Sequence, residues 1–186
     1  MRLAEVALEL FTENGFEQTT AAQIAAAAHV TERTFFNHFE TKLDALFLRE
    51  DYLSFQSLRD QIARTDSPIT TLDDLLALAI SWMTDELSAT PEEHHRTGRL
   101  RHQIGQRSPA VLSMIRAAHE HLATALAHGL AEHHGRDVPT PVDEMLGIVA
   151  GALIDHAYAR WLAQDDLDAF GDLATEDVVA LRSALR

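Results

Sequence analysis

Cysteine is absent from the 186 residues, which excludes disulfides, cysteine-ligated zinc and thiol catalysis and makes a reducing cytoplasm the expected home. Missing too is any uninterrupted apolar run near the roughly 18 residues that span a bilayer, so no membrane role is expected. The opening stretch carries Glu5 and Glu9 within its apolar part, which argues against a signal peptide. Strand-like alternation, internal repeats and low-complexity segments are lacking. No Ser/His/Asp order, glycine-rich phosphate loop or paired-carboxylate site stands out, so no catalytic residue, metal or cofactor is expected. Positive charge is scarce, with 15 Lys and Arg against 29 Asp and Glu and a net charge of −14. Residues 1–47 hold Arg2, Arg33 and Lys42 against Glu5, Glu9, Glu13, Glu17, Glu32, Glu40 and Asp44, a local net of −4. A broadly basic nucleic-acid surface is thereby excluded. Any DNA contact has to come from a few well-placed groups, with weak non-specific binding.

What is present is helical patterning. Hydrophobic residues make up 46% of the chain, enough for a folded core. Leu3, Val6, Ala7, Leu10 and Phe11 recur at helical spacing, and Asn14-Gly15 ends that helix. Thr20 with Gln23 forms a capping box for a second helix bearing Ile24, Ala25 and Ala28. His29-Val30 is a turn, and Thr31 caps a short third helix in which Phe35 and Phe39 share a buried face. Arg33, Thr34, Phe36, Asn37 and His38 then point elsewhere. A helix this short is unstable alone. Two helices joined by a tight turn, the second with a free outward face, have the spacing of a DNA-binding helix-turn-helix. Thr41 and Asp44 form a further capping box, from which a long helix is expected to run from Lys42 to about Arg64, with Leu43, Leu46, Phe47, Leu53, Leu58 and Ile62 apolar.

Further helices are expected over about 72–88, 92–106, 109–134, 142–163 and 172–185. The fold is therefore all-α with about nine helices: a three-helix N-terminal domain over 1–46 and a larger helical bundle over 47–186. The 142–163 helix is apolar nearly all round, which implies burial on both sides. Its Val149 and Leu153 side is expected to face the chain's own core. Its Gly147, Ala150, Gly151 and Ile154 side is expected to meet a second copy, giving a homodimer through 142–163 and 172–185, the latter with Ala174, Val178, Leu181 and Leu185 in one stripe. Trp82, Met83, Met114, His119, Tyr158 and Trp161 are candidates to line a small-molecule pocket. Of the many histidines, His119 and His156 fall on apolar faces and read as hydrogen-bonded core or interface residues. Glu92 and His95 form a single Glu-x-x-His, whereas a di-metal bundle needs two.

The segment from Leu10 to Lys42, LFTENGFEQTTAAQIAAAAHVTERTFFNHFETK, resembles the DNA-binding domain of the TetR family of bacterial transcriptional regulators. The resemblance implies a dimeric regulator of operator DNA, a repressor released by an unknown small-molecule ligand. It implies that Thr20 caps helix 2 and meets a phosphate, and that Arg33, Thr34, Phe36, Asn37 and His38 face DNA. Lys42 matches a phosphate-binding lysine, and Phe35 and Phe39 match buried positions. Three departures from the family pattern stand out: His29 where glycine is usual, Phe36 where tyrosine is common, and no basic arm ahead of helix 1. Two rival readings remain: a helical-bundle metal protein or enzyme, and an interaction module whose DNA binding has decayed.

Overall fold

The computed structural model describes residues 2–47 and 49–184. Among them are nine α-helices and no strand: α1 (Arg2–Asn14), α2 (Ala21–Ala27), α3 (Glu32–His38), α4 (Arg49–Arg64), α5 (Leu72–Ala89), α6 (Pro91–Gly105), α7 (Pro109–His133), α8 (Pro141–Leu162) and α9 (Phe170–Ala184). Threonines open four of them. The hydroxyls of Thr20, Thr31, Thr71 and Thr140 each accept the backbone N–H three residues on. None of these helices is long and apolar enough to cross a membrane. Leu185 and the Leu53 side chain, named in the expected stripes, lie outside the described residues.

The chain forms two compact units. One comprises Met1–Tyr52 with Arg96–Arg116, and the other Leu53–His95 with Ala117–Arg186. The division does not follow a single cut near residue 46. It passes through α4, α6 and α7, so each of those helices supplies residues to both units. The N-terminal unit buries Ala7, Phe11, Phe16, Ile24, Phe35, Leu46 and Phe47 together with Ile104 and Val111, which explains why 96–116 belongs to it. Ser108 adds a polar tie, its hydroxyl donating to Glu17 Oε1 at 2.7 Å. The C-terminal unit is built around Leu58, Ile62, Leu75, Leu76, Leu122, Leu126, Ile154, Trp161 and Phe170.

Two expectations need correction. The long helix begins at Arg49, and residues 42–47 are turns. The Thr41–Asp44 cap exists, with the Thr41 N–H 2.7 Å from Asp44 Oδ2, but it closes only one turn, in which Leu46 and Phe47 donate back to Leu43 O. Ala45, Leu46 and Phe47 are consecutive and all buried. Consecutive helical residues fan out by about 100° each, so burying all three suits a turn better than a helix face. The second correction concerns α8, whose two faces are reversed. Gly147, Ala150, Gly151, Ile154, Ala157 and Trp161 are buried within the chain's own core. A Cβ on Gly147 would collide with the Ala123 carbonyl oxygen, and one on Gly151 would stand 3.5 Å from the Ala123 Cβ. The small residues thus let α8 lie close on α7 of the same chain. The opposite face is uncovered, with Val142 57%, Met145 58%, Ile148 61% and Val149 40% exposed.

Candidate nucleic-acid interface

The interface candidate is assembled from short elements held at their ends. Thr20 and Gln23 cap α2 reciprocally, the Thr20 N–H donating to Gln23 Oε1 at 2.8 Å and the Gln23 N–H to Thr20 Oγ1 at 3.2 Å. Ile24 and Ala25 are buried beneath it. The turn closes when the His29 and Val30 N–H groups donate to Ala26 O and Ala25 O. His29 has φ +56°, so the left-handed conformation that glycine adopts freely is here taken by a histidine. Thr31 then starts α3, accepting from the Thr34 N–H at 3.1 Å, while the two threonine hydroxyls share a 2.8 Å bond.

Seven residues cannot sustain a helix by themselves. Phe35, fully buried, and Phe39, with ring centroids 5.3 Å apart, anchor α3 in the N-terminal core. That anchoring leaves Arg33, Phe36, Asn37 and His38 exposed on the outer side, and Thr34 half-buried. Thr20 is exposed at the start of α2. Five of the seven expected DNA-facing residues are therefore open to solvent.

Lys42 is held within the domain. Its ammonium donates to Phe16 O at 2.6 Å and Thr19 O at 3.1 Å, with Glu17 O at 3.4 Å, and lies 4.4 Å from the centroid of the Phe16 ring. An ammonium has three donors. With three carbonyls facing it, Lys42 is the tie that binds the 16–19 loop to the segment after α3. Sequence reasoning missed a companion tie on α6. Arg101 Nε donates to Leu46 O at 2.7 Å and its guanidinium sits 5.3 Å from the Phe47 ring centroid. No local pattern announces this pair, because its acceptor is a backbone carbonyl 55 positions away.

The six residues expected to line a pocket do not form one group. Met114 packs against the N-terminal core. Trp82 and Trp161 are buried in the C-terminal core, their indole N–H groups donating to Ser57 Oγ at 2.9 Å and Leu167 O at 3.0 Å. Met83 and Tyr158 are partly buried against the same core, Tyr158 with its ring 5.6 Å from that of Trp161. His119 is exposed and lies 3.3 Å from Asp155 Oδ2, so it is not a core histidine. Desolvation pushes the Asp155 carboxyl up to about 7 and lowers His119, whose ring is about half covered. His156 is likewise exposed, its Nε2 3.9 Å from Asp177 Oδ2. The histidine that is buried is His95, bonded to Trp161 O at 3.2 Å with its ring edge-on to the indole. Among the described residues no group of three or more His, Asp or Glu could hold a metal ion.

Residues 3–49 match the family model of bacterial regulatory proteins, TetR family, and residues 70–186 match that of the MftR C-terminal domain. The chain is similar to the HTH-type transcriptional regulator TcmR of Streptomyces glaucescens, 27% identical over 174 residues that cover 90% of this chain and 74% of the relative. Its fold resembles that of Thermus thermophilus FadR, a TetR-family repressor solved with lauroyl-CoA, at TM-score 0.57 and 24% identity over 97% of this chain and 91% of that one. It also resembles FadR of Bacillus subtilis, solved with stearoyl-CoA, at TM-score 0.59 and 21% identity over 95% of each chain.

Proposed function

The chain belongs to the TetR family of bacterial regulatory proteins, and from that premise we propose that it reads operator DNA through the outer face of α3 and is released by a small molecule bound in the C-terminal unit. The observation that carries the reading is a capped, core-anchored α3 presenting Arg33, Phe36, Asn37 and His38 together to solvent. A helix held this way enters a major groove, where arginine pairs bidentately with guanine. Thr20 and Thr34 supply hydroxyls at the edges of the contact. Lys42 serves the domain's own structure, so phosphate binding by it would require giving up its carbonyls.

A second copy covers the exposed α8 face and the neighbouring Val179 on α9. That face, rather than the glycine side, is the dimer surface this reading requires, since it is an apolar patch of the kind that marks an interface. Two linked units then meet two half-sites of a roughly palindromic operator. Met83 and Tyr158 are the C-terminal residues best suited to touch a ligand, being partly exposed against an apolar core. A ligand preferring a conformation unsuited to DNA shifts the population away from the operator. The coupling runs through α6, whose first residues belong to the C-terminal unit while Arg101, further along it, clasps Leu46 just ahead of α4.

Binding of Arg33→Ala to selected operator and to unrelated duplex tests the DNA reading. The expected result is a loss of about 1–3 kcal/mol on operator and much less on unrelated DNA. Equal losses on both would reject base reading by Arg33. For the dimer, Ile148→Glu should yield a folded monomer by light scattering, and a mutant that stays dimeric at low micromolar concentration would reject the α8 surface.

A further inference from the structure

Phe36 does not fit the chemistry of its neighbours. Arg33, Asn37 and His38 are polar and can take phosphate or base-edge hydrogen bonds, whereas phenylalanine has neither donor nor acceptor. Yet Phe36 is 49% exposed on that face. Its ring is braced, edge-on at 87° and 5.4 Å from Phe35, which is itself fully buried. A braced aromatic ring on an otherwise polar face is placed to pack on an apolar group of whatever that face meets. On the major-groove edge of DNA the apolar group a base pair presents is the C5-methyl of thymine.

We propose that Phe36 determines sequence preference by packing on a thymine methyl group in each operator half-site. This rests on the DNA reading above and deepens it. Arg33 lies three residues earlier on α3 and so on nearly the same side of the helix. Three residues advance about 4.5 Å along a helix axis, against about 3.4 Å per base step along one strand. If Arg33 takes guanine, each half-site therefore holds a guanine and a thymine within about two base pairs of each other.

The test starts from duplexes selected from a random library by the 186-residue chain. Each thymine of the selected operator is then replaced singly by deoxyuridine, which deletes only the methyl, and binding is followed by fluorescence anisotropy at fixed salt. The expected result is one thymine per half-site whose replacement weakens binding about three- to fivefold, the worth of one buried methyl. Phe36→Ala should bind the thymine and deoxyuridine duplexes equally, while Phe36→Leu, still apolar, should keep part of the difference. Arg33→Ala should keep the methyl effect undiminished. A selected operator in which no thymine shows the effect would overturn the proposal and leave the DNA reading standing. So would a methyl effect that persists unchanged in Phe36→Ala. A library from which nothing is enriched would overturn both.

Discussion

The two units of the chain use their cations differently. In the N-terminal unit Lys42 and Arg101 clasp backbone carbonyls at Phe16, Thr19 and Leu46. In the C-terminal unit arginines pair with carboxylates: Arg59 with Glu132, Arg136 with Asp143, Arg160 with Glu176 and Asp177, and Arg182 with Asp73. The difference follows from helix length. α2 and α3 have seven residues each, so a large share of their backbone lies near an end with unsatisfied groups, and the connecting loops must be stitched. α7 and α8, at 25 and 22 residues, satisfy nearly all of their own backbone and need polar groups mainly to set register. Neutral carbonyls do not titrate, whereas carboxylates do. The Arg136 guanidinium holds the buried Asp143 carboxyl well below its usual range, and Arg59 does the same more mildly for Glu132. Such lowered groups stabilise the fold above their unfolded pKa and lose that contribution as pH falls through the folded value. Acid should therefore loosen the C-terminal unit through these pairs, while the Lys42 and Arg101 clasps persist.

The sharpest way to break the contrast is Lys42→Met, which keeps an unbranched apolar stem one atom shorter and removes the charge. Losing the two shorter of its charge-assisted bonds, to Phe16 O and Thr19 O, should cost about 3 kcal/mol. The loss should appear as faster amide exchange in α1–α3. Tryptophan fluorescence should barely respond, because both tryptophans, Trp82 and Trp161, lie in the C-terminal unit. An unfolding transition by tryptophan fluorescence that shifts as much as the exchange would show that the units do not melt separately. Next is Gly147→Ala, whose Cβ would collide with the Ala123 carbonyl and force α8 off α7. It should cost about 2 kcal/mol, this time read by fluorescence with the α1–α3 amides spared. The smallest effect expected is a gain. An ordinary Asp carboxyl titrates near 3.8 and Asp155 at about 7. Between those values the folded chain holds a proton that the unfolded chain has lost, so stability falls as pH rises through the window. Asp155→Asn should be neutral near the low end and stabilise by about 1 kcal/mol above the high end. A thermal-melt series across that range checks it, and equal effects at both ends would show that the carboxyl is not held protonated.

Most helix ends were legible because capping residues and breakers are local signals, the start of α4 being the exception, since the Thr41–Asp44 cap closes only one turn. Thr20, Thr31 and Pro109 place helix starts, and the α4 end at Arg64 follows from the Asp66-Ser67-Pro68 stop. The outward set on α3 was legible for the same reason, since Phe35 and Phe39 orient it. The faces of α8 were not. A helix apolar on every side has no direction encoded in it, and only the close approach of Gly147 to Ala123 decides which side turns inward. The burial of His95 is not legible in the Glu92–His95 spacing, because the group that satisfies it is the Trp161 carbonyl, 66 positions away. The partners of Lys42 are not legible either, because nothing local reveals that the carbonyls of residues 16–19 converge on it.

The uncovered side of α8 carries one more implication. Val142, Met145, Val149, Ala152 and His156 are all exposed, and their spacing alternates three and four residues. That repeat averages 3.5 residues per turn, slightly short of the 3.6 of a straight α-helix. A stripe of this kind slides around a straight helix by about 20° per heptad. Two such stripes stay face to face along their length only if the helices coil around each other with a left-handed twist, crossing near 20°. If a second copy docks on this stripe as proposed, the intervals between its exposed side chains set the handedness of the seam.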